Sequence, residues 1–357
     1  MSDLKINNIT NRSGDGGPVI AGVSTVATSA FMVMPSGNTA IRGAGSGRGI
    51  IWVNNAPSTK TINKIEIATI GNAVDFGDAM VSKAKPGVCA SSTRGIFSGG
   101  QPGASPYYIT DIEFVVISSG GGGNDFGDLT KGRLHQIDAR RGSSAGSNDS
   151  TRGLIAGGNT PGDGGARKSI DFITMASRGD SSDFGELMQE RFDFMGGMGN
   201  GVRAVFAGGY SQTTPAATFF NMIDTVNVQS GGAATKFGEL SATRGRTTNT
   251  SNSTRGLNMG GGPGPSSRTN IIEFITLSTE GNAQDFGDLS NGVLSHSSCA
   301  SSTRAVQAGG YISPQDATTN AMQFVTISTT GNATEFGDMT VARDSTSALS
   351  DVNGGLG

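Results

Sequence analysis

The sequence predicts an all-β protein: a six-bladed β-propeller with four antiparallel strands per blade and an extended N-terminal segment. The main observation is a Phe-Gly-Asp or Phe-Gly-Glu tripeptide that occurs six times, at intervals of 50, 58, 53, 49 and 50 residues. A period of this length indicates one supersecondary unit copied six times, and four strand-like segments per unit are typical of a propeller. The chain also has 57 Gly in 357 residues, which suits short strands joined by many tight turns.

Each repeat contains four segments with strand patterns. The first is a run of Ser, Ala and Gly, such as residues 294–302, whose small side chains suit an innermost strand where six blades crowd together. The second follows an arginine and ends in two glycines, as in residues 94–100. The third alternates β-branched or aromatic residues with polar ones, as in residues 111–118, which is typical of a half-buried strand. The fourth carries the Phe of the tripeptide.

The tripeptide phenylalanines are predicted to fill the gaps between adjacent blades, where burial of each ring contributes about 1.5–3 kcal/mol. They are Phe76, Phe126, Phe184, Phe237, Phe286 and Phe336. The Asp or Glu that ends each tripeptide is interpreted as a turn residue that bonds nearby backbone N–H groups. A metal ligand or catalytic acid is the weaker interpretation, because all six blades carry this residue.

One arginine precedes the second strand of each repeat. The set is Arg48, Arg94, Arg152, Arg203, Arg255 and Arg304. A basic ring that binds an anion is one interpretation. The favoured one is that each arginine pairs with a tripeptide carboxylate or caps carbonyl groups between blades.

The ends of the chain break the period. Residues 341–352 repeat the innermost-strand pattern after the sixth tripeptide, and we predict that they complete the first blade, since a propeller must join its last blade to its first. Residues 39–45 have a similar pattern and compete for the same place. The expected domains are therefore an N-terminal docking segment, 1–38, and a propeller, 39–357.

Composition argues against several classes of protein. The net charge of −3 is not that of a nucleic-acid-binding surface. We find no secretory signal and no apolar run long enough for a membrane helix. Cys89 and Cys299 form no disulfide or metal-binding pattern and are interpreted as small buried residues of inner strands. His135 and His296 are interpreted as structural. We therefore expect no metal, no cofactor and no catalytic residues.

The loops after the diglycines differ between copies and should emerge on one face. They are residues 101–110, 159–169, 210–221, 262–270 and 311–320. Exposed aromatic side chains on such loops can stack on sugars or anchor a protein partner. The candidate binding residues are Tyr107, Tyr108, Tyr210, Phe219, Phe220 and Tyr311. The alternative is that these side chains fold back over the blade edges.

The repeat resembles the kelch family. Its motifs here are the diglycines that end at Gly100, Gly158, Gly209, Gly261 and Gly310, and the third-strand sequences Ile112-Glu113-Phe114 and Ile272-Glu273-Phe274. The resemblance spans residues 39–355 and implies a six- or seven-bladed propeller without implying a particular function. The chain departs from the family in lacking its usual Tyr and Trp pair, because Trp52 is the only tryptophan.

A second resemblance concerns residues 4–18, which contain Asn11-Arg12-Ser13-Gly14-Asp15-Gly16-Gly17-Pro18. This segment is similar to the start of many virion proteins of tailed phages. Together with the Gly-, Ser- and Thr-rich kelch-like body, it resembles a structural protein of a marine or cyanobacterial phage. The resemblance implies a tail, baseplate or fibre protein, made in the host cytoplasm and located in the virion. It would dock on other virion proteins through residues 1–38, present its loop face to a host surface polysaccharide or another virion protein, and form a homo-oligomer.

Two other functions stay open at this point. One is a head or neck decoration protein that only stabilises the particle. The other is a carbohydrate-active enzyme on a propeller scaffold, for which a cluster of acidic residues on the loop face would be needed, and the sequence shows none.

Overall fold

The computed structural model describes residues 24–25, 32–33, 47–53, 60–102, 109–130, 145–148, 151–160, 165–212, 218–264 and 266–351. The chain divides into two compact units, Met1–Gly45 and Ser46–Gly357. In the first unit the structure describes one antiparallel pair, Ser24–Thr25 with Met32–Val33. The described residues of both units form strands and no helix, so the all-β prediction is confirmed.

The second unit contains six antiparallel sheets built from four strands each, numbered here 1 to 6, with their strands called first to fourth across the sheet. Sheet 1 comprises Ser347–Ser350, Arg48–Trp52, Thr61–Glu66 and Val74–Asp78. Sheet 2 comprises Gly87–Ala90, Arg94–Ser98, Asp111–Val116 and Asn124–Asp128. Sheet 3 comprises Ala145–Asn148, Arg152–Ala156, Ser169–Thr174 and Ser182–Glu186.

The other three sheets follow the same order. Sheet 4 comprises Met198–Gly199, Arg203–Ala207, Met222–Asn227 and Thr235–Glu239. Sheet 5 comprises Thr247–Ser251, Arg255–Met259, Ile271–Thr276 and Gln284–Asp288, with Phe194–Met195 added in parallel to its first strand. Sheet 6 comprises Ser297–Ala300, Arg304–Ala308, Ala321–Thr326 and Thr334–Asp338.

Short accessory strands lie in the segments before the first strands and after the diglycines. The two-stranded pairs are Lys83–Ala84 with Gln101–Pro102, Asn159–Thr160 with Gly165–Ala166, and Tyr210–Ser211 with Thr218–Phe219. Near sheet 6, Tyr311–Ser313 pairs with both Gly292–Leu294 and Ala317–Thr318.

Sheet 1 joins the two ends of the second unit. Its C-terminal strand pairs with the strand that starts at Arg48, with Gly49 opposite Ser350. One further bond extends this pairing: the backbone N–H of Arg48 donates to the side-chain Oδ1 of Asp351 at 2.7 Å. The competing segment, residues 39–45, lies outside the described residues.

The sheets contact one another in a cycle. Each first strand contacts the first strands of the preceding and following sheets, and sheet 6 contacts sheet 1. Six clusters of buried side chains lie between successive sheets, and each contains one tripeptide phenylalanine. Between sheets 6 and 1, for example, Phe336 packs with Val306 and Ile67. The six predicted phenylalanines therefore occupy equivalent places in the core.

Backbone hydrogen bonds also join successive sheets at the tripeptides. The N–H groups of Gly71 and Ala73 in sheet 1 donate to the carbonyl oxygens of Phe336 and Asp338 in sheet 6, at 2.9 and 2.8 Å. The same two bonds recur at all six junctions, with N···O distances of 2.7–3.1 Å. The turn before each fourth strand thus covers the edge of the preceding sheet, which would otherwise present unpaired backbone groups.

This close approach explains the tripeptide glycine. A Cβ atom at Gly238 would collide with the carbonyl oxygen of Gly281 in sheet 5, and equivalent collisions occur at the other five junctions. The residue after the glycine adds a bond at four junctions. At the junction of sheets 5 and 6, the N–H of Asp288 donates to Oδ1 of Asn332 at 3.0 Å.

The predicted role of the tripeptide carboxylates is wrong. Among the described residues, none of the six accepts a hydrogen bond from a backbone N–H. Asp128 accepts from the Thr110 hydroxyl at 2.7 Å, and Glu239 pairs with Lys236. The acidic residue contributes to the junctions through its backbone instead. Its carbonyl oxygen accepts a bond from the next sheet at all six junctions, and its N–H donates to that sheet at four.

A second set of bonds between sheets uses a polar side chain of the third strand, which is buried in five sheets and half-buried in sheet 6. The acceptors are Asn63, Glu113, Asp171, Asp224, Glu273 and Gln323. Each accepts a bond from the backbone N–H two residues after the tripeptide of the preceding sheet; Met80, for example, donates to Glu113 at 2.7 Å. A register shift between the third and fourth strands lies just before each acceptor, as expected where a bulge re-aims a side chain.

The arginines before the second strands bond carbonyl groups rather than tripeptide carboxylates. Nη1 of Arg304 in sheet 6 donates to the carbonyl oxygens of Ile67 and Ala68 in sheet 1, at 3.2 and 2.8 Å. Arg48, Arg94, Arg152 and Arg255 make the equivalent pair of bonds to the next sheet. Arg203 differs, because its Nη1 finds no hydrogen-bond partner among the described residues and its Nη2 lies 3.6 Å from Glu280.

Candidate functional site

The aromatic residues predicted to bind ligands have different environments. Tyr107 and Tyr108 lie outside the described residues. Tyr210 is only 6% exposed and packs between Phe192 and Phe219, with ring centroids 5.3 and 4.6 Å away. Its ring is therefore covered, as in the alternative interpretation, and the prediction that it binds a ligand is not supported. Phe219 and Phe220 are half-buried.

Tyr311 lies in the wall of a cleft of about 280 Å³. The cleft is lined by Arg246, Ser266, Arg268, Leu294, Ser295, Tyr311, Asp316 and Asp344. Two of the predicted variable loops, 262–270 and 311–320, supply its rim. The segments that lead into the first strands of sheets 5, 6 and 1 supply its interior, which the sequence analysis did not predict.

The interior residues are held by backbone geometry. Arg246 and Ser295 have φ values of 58° and 53°, in the left-handed region that non-glycine residues seldom adopt. Ser345 has the same conformation one repeat later. The N–H of Ser295 donates to the carbonyl oxygen of Arg246 at 3.2 Å, and that of Ser345 donates to Ser295 at 2.6 Å. These bonds connect successive repeats and fix the inner wall of the cleft.

Three residues of the rim form one connected unit. The guanidinium of Arg268 lies over the Tyr311 ring, 4.5 Å from its centroid, and pairs with the Asp316 carboxylate at 2.5 Å. The Tyr311 hydroxyl donates to the backbone carbonyl of Asp316 at 2.9 Å. The N–H of Asp316 donates to the carbonyl oxygen of Ile312. The rim is therefore ordered before any ligand arrives, although Asp316 itself is 70% exposed.

The charges of the lining residues cancel. Two arginines face two aspartates, and Arg268 is paired within the cleft. Arg246 is buried and pairs with Asp193 at 3.3 Å. Asp193 occupies the equivalent position of the preceding repeat and also has a positive φ, 68°. Both arginines of the cleft are thus paired with carboxylates, and these pairs fix its donors and acceptors in place.

Other buried charges stabilise the junctions. Lys83 pairs with Glu113 at 2.9 Å and Arg191 with Asp224 at 3.1 Å, and Arg244 pairs with Glu273. Burial lowers the pKa of Lys83, partly offset by Glu113, and lowers the pKa of Arg191. These cations occupy the same repeat position, five residues after the tripeptide. In the next repeat that position is Val293, and the third-strand acceptor there is the neutral, half-buried Gln323.

The buried histidine and cysteines are also removed from solvent. Burial lowers the pKa of His296 to about 3 and raises the pKa of Cys89 and of Cys299 to about 12. The sulfur of Cys89 packs where a Cβ of Gly153 would stand in the next sheet, and that of Cys299 does the same at Gly49. These thiols therefore fill space left by glycines. His135 lies outside the described residues.

Within the part of the chain that the structure describes, no three His, Cys, Asp or Glu side chains are grouped so as to hold a metal ion. The same part contains no helix of the length and apolar character that crossing a membrane requires. Comparison with models of protein families and with curated proteins gives no match.

Proposed function

We propose that the six sheets are the blades of a six-bladed propeller, closed by the strand Ser347–Ser350. The cycle of contacts supports this proposal. Phenylalanine clusters, paired backbone bonds and third-strand acceptors repeat at six junctions, and the sixth junction joins sheet 6 to sheet 1. A linear array would leave two end sheets without one neighbour, and it would need capping repeats.

We further propose that this propeller is a non-enzymatic structural protein of a phage virion, in the tail, baseplate or fibre. It docks on other virion proteins through residues 1–38, forms a homo-oligomer there and presents its loop face outward to a host glycan or another virion protein. The N-terminal resemblance supports the virion assignment. The observation that carries the binding role is the cleft, because it combines variable-loop residues with an ordered polar rim.

Cryo-electron microscopy of the particle tests the virion assignment. The expected result is density for the propeller on the tail, baseplate or fibre, with residues 1–38 at the contact with a neighbouring subunit. Density on the head or neck alone would favour a decoration protein, and a particle without this chain would overturn the proposal.

An array of bacterial surface polysaccharides, probed with the purified chain, tests the binding role. Capture by at least one polysaccharide is expected. Hydrolysis of a captured polysaccharide during incubation would instead favour a carbohydrate-active enzyme.

A further inference from the structure

We propose that the cleft between Arg268, Tyr311 and Ser295 is a site for one uncharged sugar residue. The inference rests on the proposed glycan-binding role of the loop face and identifies both its location and the chemical class of its ligand. Three properties of the cleft support this proposal: its volume, the pairing of its charged residues and the bonds that already order its rim.

The size of the cleft limits the ligand. Its volume of about 280 Å³ lies just below the roughly 300–1,000 Å³ that small-molecule sites span. Such a space holds a single sugar unit, with the rest of a polysaccharide outside. Asp316 is the most exposed charged residue of the rim, with 70% of its side chain exposed.

The charge of the cleft favours a neutral ligand. A carboxylate or phosphate would need a free cation, yet Arg268 is already paired with Asp316 and Arg246 with Asp193. An anionic ligand would have to displace one of these carboxylates and leave its charge uncompensated, which is costly at a buried position such as Asp193. Sugar hydroxyl groups need no such exchange, because they donate to a carboxylate and accept from a guanidinium at once.

The side chains of the cleft also favour a sugar over a peptide. Among the described residues that line the cleft, Leu294 is the only aliphatic one, so this part of the cleft lacks the apolar pockets that hold peptide anchors. Instead it combines the stacked Arg268–Tyr311 pair with the Asp316 carboxylate and the Ser266 and Ser295 side chains. Since the Asp316 backbone and carboxylate are both bonded, binding requires little further ordering of the rim.

Saturation-transfer NMR on the full chain tests the ligand class, with glucose, galactose, mannose and N-acetylglucosamine as probes. Glucuronic and galacturonic acid serve as the charged counterparts of the first two. We expect at least one neutral sugar to bind and each uronic acid to bind about tenfold more weakly than its neutral counterpart, or not at all. Binding of no neutral sugar, or equal or tighter binding of a uronic acid, would overturn the proposal.

Two variants test the location. Tyr311→Ala removes the ring on which the Arg268 guanidinium stacks, and Asp316→Asn removes the carboxylate charge while keeping a residue that tolerates a positive φ. Each should weaken binding of the neutral sugar by roughly tenfold or more, because bonds to charged groups are the stronger ones. If Tyr311→Ala fails to fold, Asp316→Asn decides the question by itself. Unchanged binding by a folded variant would place the sugar elsewhere.

The matched control is Arg178→Ala. Arg178 lies over the Phe114 ring at 5.0 Å, so this change removes the same kind of contact at a turn that follows a third strand, at the opposite end of the sheet from the loop face. It should leave sugar binding unchanged. Failure of the cleft variants to weaken binding, together with polysaccharide capture on the array, would reject this site but keep the proposed function. If no sugar binds in the NMR experiment and no polysaccharide is captured on the array, the glycan-binding role itself is rejected.

Discussion

The junctions between sheets and the loop face differ in what they repeat. At the junctions the same two backbone bonds recur six times, and the side chain of the residue between the two donors changes from Asn72 to Gly122 to Asp180. On the loop face, Tyr210 and Tyr311 both begin a short accessory strand, but their surroundings differ. Tyr210 is buried in an aromatic cluster, whereas Tyr311 lines a polar cleft. The comparison indicates that architecture depends on backbone contacts, and specificity on what each copy adds.

The largest effect should come from removing the strand that closes the cycle. Deletion of residues 340–357 removes the partner of Arg48–Trp52 and the buried side chain of Leu349. We expect cooperative unfolding by circular dichroism to shift down by well over 10 °C, because a loss of about 1 kcal/mol already shifts it by several degrees. A control chain that lacks only residues 353–357 should melt near the parent. Equal melting of both would show that the strand is dispensable.

A buried ion pair should come next. Lys83→Val leaves Glu113 buried without its cation, and we expect a loss of about 3–5 kcal/mol in urea unfolding. Adding Glu113→Gln converts this junction to the Val293 and Gln323 combination that the chain already uses. The double variant should recover at least half of the loss, since Gln can still accept the Met80 N–H. No recovery would mean that the two junctions are not interchangeable.

Two glycines that face each other across one junction give a sharper comparison. Gly238→Ala places a methyl group against the Gly281 carbonyl, and we expect a loss of about 1–3 kcal/mol. Gly281→Ala meets no atom within 4 Å and should change stability little. Both are measured by thermal unfolding, and similar losses would contradict the steric explanation.

Stability should also depend on pH through His296. Its pKa falls from 6.5 to about 3 on folding, so between these values the unfolded chain binds a proton that the folded chain does not. The free energy of unfolding should therefore decrease as the pH falls below 6.5, by about 2 kcal/mol at pH 5 from this group. His296→Gln should reduce the difference between pH 7 and pH 5. An identical pH profile would exclude this histidine as its source.

The smallest effect separates two arginines at the same repeat position. Arg304→Ala removes two bonds to sheet 1, and because the side chain is partly exposed we expect a loss of about 1 kcal/mol. Arg203→Ala removes a longer, exposed ion pair with Glu280 and should cost less. Chemical denaturation of both variants checks this order.

The repeat could be predicted from the sequence because it leaves a side-chain signature in every copy. The phenylalanines are large and apolar, so their burial followed from their spacing. The tripeptide carboxylates misled for a physical reason: the bonds that matter there involve backbone groups, which carry no mark in the sequence. The buried pairs were detectable from the sequence. Aligned repeats place Lys83 and Val293 at one position and Glu113 and Gln323 at another, so the charged pair in one repeat corresponds to a neutral pair in the other. Of the cleft residues, only Tyr311 was predicted, because Arg268 and Asp316 follow no period.

The pairing of Gly49 with Ser350 has a consequence for biosynthesis. A ribosome must synthesise the chain as far as Ser350 before the partner of the strand that holds Trp52 exists. Until then this strand presents an open edge, and the corresponding C-terminal segment of another nascent copy can pair with it equally well. Pairing of these two strands within one chain therefore competes with strand exchange between chains, and dilution during refolding favours pairing within one chain.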